Sequence, residues 1–315
     1  MRPIQMVDLK GQYATIKADV DKAIKEVLES TAFINGKPVS DFSSNLGKYL
    51  GIDHVIPCAN GTDALQIALM GLGLEPGDEV ITPSFTFIAT TEVVALLRLK
   101  PVFADVDPKT FCLDPDSLEK QITKKTKAIV PVHLYGQSAP MKEIMALAGK
   151  YGLHVIEDNA QAIGGDYYFP DGKTCKTGTI GTVGTTSFFP SKNLGAYGDG
   201  GALFTQDAAL ADAFKMIANH GQKKRYYHEI VGCNSRLDTL QAAILNVKLP
   251  LLDEYIRRRR AAADFYDQAL GGHPKIRTPY RAPPSPYAPR FFEGKKEVVP
   301  TVPMVPVLQV FPSGK

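Results

Sequence analysis

The sequence predicts an α/β protein built on a mostly parallel sheet, and two observations carry that prediction. The runs Ala128-Ile129-Val130-Pro131-Val132 and Leu153-His154-Val155-Ile156 are near-continuously apolar, as strands covered on both faces are. Short β-branched runs of this kind also alternate with segments whose apolar residues recur every three to four positions. The first helix is predicted over 15–29, where Ile16, Val20, Ala23, Ile24, Val27 and Leu28 share a face. A second opens near Thr62 and carries Leu65, Ile67, Ala68 and Leu69 until Gly71 and Gly73 break it. Strands are then predicted over 79–82, 101–106, 127–132, 153–157, 185–189 and 201–205. Helices are predicted over 88–99, 140–151, 207–218 and 235–249. A long helix over 251–269 closes the series, with Leu252, Tyr255 and Ile256 followed by Arg257 to Arg260. Four successive arginines point in four directions about a helix axis, so a solvated surface is expected rather than a nucleic-acid patch. Lys223-Lys224-Arg225, beside Tyr226 and Tyr227, is a basic segment able to meet an anionic ligand.

Composition narrows the function classes. The 315 residues are 44% hydrophobic and 22% charged, enough apolar material for a core without metal or disulfide staples. A net charge of +3 is too near neutral to argue for nucleic acid or membrane lipid. No apolar run approaches the ~18 residues of a membrane span. The opening MRPIQMVDLK lacks the apolar stretch of a secretory signal, so a cytoplasmic protein is expected. Cys58, Cys112, Cys175 and Cys233 lie far apart without a CxxC pair, which argues for reduced thiols over a disulfide framework or a zinc site. Several catalytic signatures fail. Gly71-Leu72-Gly73-Leu74-Glu75-Pro76-Gly77 has the wrong spacing for a dinucleotide fingerprint and follows a helix. Gly172-Lys173-Thr174 supplies the end of a P-loop, but Tyr167 stands where its first glycine belongs, and a hairpin turn at Pro170-Asp171-Gly172 explains the segment better. There is no HExxH and no GxSxG.

Three strand ends carry the remaining chemistry, and active sites of parallel sheets lie at such ends. The run ending at Glu157 passes into Asp158-Asn159-Ala160-Gln161. An aspartate there is costly to desolvate unless it meets a cation or several donors, although a helix cap or turn would also use it. The run ending at Phe189 passes into Pro190-Ser191-Lys192-Asn193-Leu194-Gly195. A lysine so close to apolar sequence has a salt partner, or a lowered pKa and a Schiff-base role, or is an ordinary surface residue. The glycine-rich Gly198-Asp199-Gly200-Gly201 that follows allows close backbone approach to a bound group. Asn60-Gly61-Thr62 opens a helix, whose free N–H groups suit a phosphate as well as a plain N-cap. Together the three ends match a cofactor with a phosphate, a basic ring nitrogen and an aldehyde, which is pyridoxal phosphate.

At these residues the sequence also resembles the sugar aminotransferases of the DegT/DnrJ/EryC1/StrS family. The resemblance rests on Gly61-Thr62-Asp63-Ala64-Leu65, Gly77-Asp78-Glu79-Val80-Ile81, Thr86-Phe87, Ala89-Thr90 and Val132-His133-Leu134-Tyr135-Gly136. It continues through Glu157-Asp158, Ala160-Gln161, Ser187-Phe188-Phe189-Pro190-Ser191-Lys192, Gly198-Asp199-Gly200-Gly201 and Asn234-Ser235-Arg236-Leu237-Asp238. It implies the fold type I of pyridoxal phosphate enzymes, a mostly parallel seven-stranded sheet between helices with a smaller C-terminal domain. The implied division is 1–250 for the N-terminal segment and large cofactor-binding domain, 251–280 for the start of the smaller domain, and 281–315 for an atypical tail.

The resemblance also implies roles. Lys192 would hold the cofactor covalently and move the proton. Asp158 would keep the ring nitrogen protonated, and Gln161 would bond the ring oxygen beside the aldehyde. Gly61, Thr62 and Ser187 would hold the phosphate, and Phe87, rather than Phe85, would stack on the ring. Asn234 would reach the phosphate of the other subunit of a homodimer with shared active sites, and Arg236 would meet an anionic part of the substrate. The implied reaction moves the amino group of L-glutamate, in two stages, to the keto group, expected at C3, of a nucleotide-linked sugar for cell-surface polysaccharide or lipopolysaccharide. The stretches 58–67 and 220–249 are similar to a subgroup acting on UDP-linked N-acetylated 3-keto-glucuronic acid, with a dTDP-linked 3-keto-6-deoxyhexose as the competitor.

Lys192 argues against the family's dehydratases, in which histidine replaces this lysine. The tail carries a different expectation. Nine of the 23 prolines fall in 279–315, the resemblance stops around Arg281-Ala282-Pro283, and no strand pattern is legible beyond it. A frameshifted reading frame and a non-catalytic product that binds the cofactor without turnover are the alternative this raises.

Overall fold

The computed structural model describes residues 7–281 and 309–310. Its elements in chain order begin with α1 (Leu9–Ser30), α2 (Lys37–Leu50), β1 (His54–Cys58), α3 (Gly61–Gly71), β2 (Glu79–Pro83), α4 (Ala89–Leu96), β3 (Lys100–Ala104) and α5 (Pro115–Gln121). They continue with β4 (Thr126–Ile129), α6 (Met141–Tyr151), β5 (His154–Asp158), β6 (Asp166–Tyr168), β7 (Thr174–Lys176), β8 (Val183–Ser187), β9 (Gly201–Thr205) and α7 (Ala208–Ala218). The series ends with β10 (Gln222–Lys224), β11 (Tyr227–His228), α8 (Thr239–Lys248), α9 (Leu252–Leu270), β12 (Ile276–Arg277) and β13 (Gln309–Val310).

Seven strands form one sheet in the order β1-β9-β8-β5-β4-β2-β3. The pairs β8·β5, β5·β4, β4·β2 and β2·β3 are parallel, and β9 runs against both β8 and β1. Alternate residues divide the sheet between two cores. Val80, Ala128, Ile156 and Leu203 face the layer of α3, α4 and α7. On the other face, Ile81, Ile129 and Val155 meet α5 and α6, while Phe204 meets Phe42 of α2, Leu245 of α8 and Leu252 of α9. The mostly parallel, helix-flanked sheet therefore matches the sequence expectation.

Several boundaries differ for physical reasons. The first helix starts at Leu9, capped by the Asp8 carboxylate on Gly11 N–H at 2.8 Å. The strand expected over 185–189 is Val183–Ser187, so Phe188 to Pro190 already belong to the following loop. The hairpin turn expected at Pro170-Asp171-Gly172 joins β6 to β7, with Gly172 at φ +90°. The arginine run is a correction. Arg257 and Arg258 are solvated and pair with Glu254, but burial pushes Arg259 and Arg260 below the usual guanidinium range. Of the tail expected over 281–315, Arg281 pairs with Asp264 and Asp267 of α9 at 2.6 Å each. Gln309–Val310 pairs antiparallel with Ile276–Arg277, a short strand the sequence did not reveal. The rest of that expectation lies outside the described residues.

Candidate active site

The geometry of the site follows from the one reversed strand. Gly201, the first residue of β9, stands opposite Cys58 at the end of β1 and opposite Ser187 at the end of β8. Two strand ends of the same direction are thereby brought together across a glycine. A Cβ on Gly201 would lie 2.4 Å from the Asn60 carbonyl, so only glycine admits the loop that opens α3. Asn60 caps that helix, its side chain accepting Asp63 N–H at 2.8 Å. The first intrahelical bond runs from Ala64 N–H to Asn60 O at 3.1 Å, which leaves the N–H groups of Gly61 and Thr62 at the open end of the helix. Gly61 lies directly against Ser187, where an added Cβ would come within 2.6 Å of the serine Cβ.

Asp158 ends β5, the next strand over, and is only 6% exposed. Thr90, on the first turn of α4, donates to its Oδ2 at 2.8 Å, and Ala160 N–H donates to Oδ1 at 3.2 Å. Both donors are neutral, and among the described residues no cation pairs with this buried carboxylate. Thr86 and Thr90 hydroxyls lie 3.2 Å apart, which ties the segment carrying Phe87 to the same carboxylate. Phe87 is 67% exposed, while Phe85 packs on Phe111 with ring centroids 5.7 Å apart. Gln161 accepts Tyr135 N–H on Oε1 at 2.6 Å, and its backbone carbonyl accepts Asn193 Nδ2–H at 3.4 Å. That bond links the Asp158–Gln161 segment to the loop carrying Lys192.

Lys192 is half-buried, and its amine has no hydrogen bond or ion pair among the described residues. Burial holds it below the usual lysine value, and the Asp158 carboxylate pulls it partly back up. Gly61, Thr62, Ser187, Asp158, Gln161 and Lys192 thus converge on one edge of the sheet, with Phe87 tethered beside them. Asn234 and Arg236 are not drawn into this set within the single chain. Asn234 is exposed, paired through its backbone with Asn219, and Arg236 is half-buried without an ion pair among the described residues. Ser235 between them accepts Ala59 N–H at 3.0 Å, which holds the segment against the loop before α3.

Sequence reasoning gave no role to a second buried carboxylate. Glu157, fully buried, accepts Ile180 and Gly181 N–H on Oε1 at 2.6 and 2.7 Å. Its Oε2 accepts Gly178 N–H and His133 Nε2–H, both at 2.9 Å. His133 Nδ1 accepts Ala139 N–H at 3.0 Å, which assigns the ring proton to Nε2. His133 N–H also donates to Asp158 O at 3.1 Å, so one residue braces both carboxylates of β5. Lys248 was missed as well, although Leu245, Lys248, Leu249 and Leu252 place it on an apolar stripe at helical spacing.

A fold type I sheet with these groups at its strand ends defines a pyridoxal phosphate enzyme with aminotransferase chemistry. A buried carboxylate without a cation, a desolvated lysine beside it and an open helix N-terminus fit the ring nitrogen, aldehyde and phosphate of that cofactor.

The chain belongs to the DegT/DnrJ/EryC1/StrS aminotransferase family, which it matches over residues 14–288. That match runs a few residues past the point where the resemblance was expected to stop. The chain is 53% identical over 267 residues to the UDP-2-acetamido-2-deoxy-3-oxo-D-glucuronate aminotransferase of Pseudomonas aeruginosa, a match covering 85% of this chain and 73% of the relative. Among solved structures it is similar to DesV of S. venezuelae in complex with a ketimine intermediate. The TM-score there is 0.89 at 38% identity, over 98% of this chain and 78% of the other. It is also similar to ntda of Bacillus subtilis with bound cofactor PMP, with TM-score 0.81 and 35% identity over 89% and 64% of the two chains. No helix among the described residues is long and apolar enough to cross a membrane.

Proposed function

We propose that the chain transfers the amino group of L-glutamate to the C3 keto group of a UDP-linked, N-acetylated glucuronic-acid sugar used for cell-surface polysaccharide. The observation that carries the reading is the pairing of Asp158, buried without a cation, with Lys192, a desolvated lysine within its field. The 53% identity to the Pseudomonas enzyme supports the choice of sugar and of the UDP carrier over a dTDP-linked 3-keto-6-deoxyhexose.

Bound pyridoxal phosphate supplies an electron-accepting ring that stabilises the carbon losing its proton. Lys192 would hold the aldehyde through its amine, whose pKa burial lowers, favouring the nucleophilic form. The same amine would then move a proton at the substrate carbon. Asp158, oriented by Thr90, would accept a hydrogen bond from the ring N–H and hold that proton in place. Tyr135 N–H donates to Gln161 Oε1, so Gln161 Nε2–H is the group that would donate to the ring oxygen. The N–H groups of Gly61 and Thr62, with the Ser187 hydroxyl, would hold the phosphate, and Phe87 would cover the ring.

The same reading makes the active unit a homodimer. Asn234, exposed and with no side-chain hydrogen bond among the described residues, reaches the partner's phosphate site, and Arg236 meets an anionic part of the nucleotide-sugar. Residues 1–250 form the large domain, 251–280 open the smaller one, and 281–315 follow as a proline-rich tail. Four free cysteines favour the cytoplasm as the place of reaction.

The test mixes the full chain with pyridoxal phosphate, L-glutamate and either keto-sugar. Release of 2-oxoglutarate with the UDP-linked substrate, and a borohydride-stable cofactor adduct on the Lys192 peptide, are expected. Cofactor that binds but leaves no adduct on Lys192 refutes the reading. Faster turnover of the dTDP-linked sugar refutes the choice of substrate alone.

A further inference from the structure

Lys192 lies in a short loop closed by Ala196 N–H on Phe188 O at 2.7 Å and by Lys192 N–H on Phe189 O at 2.9 Å. The loop is too tight for a side chain at Gly195, where a Cβ would stand 2.3 Å from Pro190 O. Its outer side is held by three side chains of the α8–α9 segment. Gln241 Oε1 accepts Tyr197 N–H at 2.8 Å, Arg259 Nη2–H donates to Ser191 O at 3.4 Å, and the Lys248 ammonium donates to Gly195 O. Gln241 and Lys248 are seven residues apart, two turns along one face of α8.

Of the three, Lys248 is the one packing alone does not explain. It is 1% exposed, has no carboxylate partner among the described residues, and stands among Leu245, Leu249 and Leu252 of the core. The Tyr197 ring, 5.2 Å from Nζ, and the Gly195 carbonyl are what it finds in place of an anion. Burial, with the Arg259 charge beside it, pushes its pKa down to about 8. A methionine would fill the same volume without a charge to desolvate. What a methionine lacks is a donor for Gly195 O.

We propose that Lys248 is a positioning residue for Lys192, fixing the path of the 190–196 loop through the Gly195 carbonyl and thereby the place from which the Lys192 amine acts. The proposal rests on the reading of Lys192 given above. It goes beyond that reading by tying the reactive lysine to the end of α8, next to the start of α9.

The experiment compares the native chain with K248M and K248R. It measures the thermal midpoint without cofactor, the rate at which added pyridoxal phosphate becomes borohydride-trappable on the Lys192 peptide, and kcat against KM. K248M is expected to melt no lower than the native chain yet to form the Lys192 adduct about tenfold more slowly, since a misplacement near 1 Å has effects of that size or larger. Its kcat falls while KM for the keto-sugar stays, and K248R, which keeps a donor cation, recovers part of the rate. Trapping at the native rate in K248M overturns the proposal. So does a K248M chain whose midpoint drops and whose trapping K248R fails to recover, because that is how a packing residue behaves. A failure of the underlying reading is distinguishable, because the native chain itself would then give no adduct and the proposal would fall with it.

Discussion

Replacing Glu157 by glutamine tests how firmly the strand end carrying Asp158 is held. The two side chains have nearly the same shape, so no cavity is made and the effect isolates the hydrogen bonds. Each carboxylate oxygen accepts two donors, Ile180 and Gly181 N–H on one, Gly178 N–H and His133 Nε2–H on the other. A glutamine amide has one NH₂ in place of one oxygen, so either orientation turns it against two backbone or ring donors. Moving the histidine proton to Nδ1 relieves one conflict by setting that proton against Ala139 N–H. Two donors are left unsatisfied either way, at about 1–3 kcal/mol each, so the expected loss is about 4 kcal/mol.

That is a large share of the ~5–15 kcal/mol that holds a domain folded. Urea unfolding of the cofactor-free chain reads it directly as a lower midpoint at unchanged slope. The loss should be matched by weaker pyridoxal phosphate binding, because the backbone carbonyl of Asp158 hangs on the same His133. A loss below about 1 kcal/mol would show that the four-donor arrangement around Glu157 does not hold the strand end.

Two further outcomes follow from the same geometry. Gly61→Ala drives a methyl to 2.6 Å from the Ser187 Cβ, an overlap costing about 1–3 kcal/mol, and should lower pyridoxal phosphate affinity in an absorbance titration; unchanged affinity and stability would mean that α3 does not start against Ser187. The second concerns pH. Lys248 has a folded value of about 8 against 10.5 unfolded, so in that window the unfolded chain keeps a proton the native one has lost, and stability rises with pH. Below about 8 both forms are charged and the burial cost is constant. Lys248→Met should abolish a rise of the order of 3 kcal/mol between pH 8 and 10.5, and parallel native and variant profiles would refute it.

The elements legible in the sequence are those whose local pattern and tertiary fate agree. The central strands β2, β4 and β5 are apolar on both faces because both faces are covered. Asp158 and Lys192 stood out because each follows an apolar run, and Gly61 because it opens a helix. What was missed depends on partners distant in the chain. The strand β1 contains Pro57, which demotes a strand in sequence, yet β1 is an edge strand where one absent donor is tolerated. Helix α2 buries only Phe42, Leu46, Gly47 and Leu50 of its 14 residues, too narrow a stripe among serines to read as a helix. Thr90 reaches Asp158 from 68 residues away, and no local signal announces that bond. The arginine run misled because helical direction alone cannot say which of four arginines meets a neighbouring element.

The distribution of unpaired charge argues for the site independently of any motif. On the outer helices the charges pair within one element and in water, as Lys17–Asp21, Lys22–Glu26, Lys25–Glu29 and Lys37–Asp41 do. Such pairs contribute little to stability. Asp158, Lys192 and Lys248 behave in the opposite way: each is withdrawn from water and none has an ion pair among the described residues. A fold selected for packing alone would place apolar groups there, so a concentration of desolvated, unmatched charge around one loop is the mark of groups kept for chemistry. Asp158 faces the lysine from one strand end, and Lys248 grips the loop from behind. Burial holds the Lys192 amine below the usual lysine value against the opposing pull of Asp158, and the role proposed for Lys248 is to fix the loop from which that amine acts.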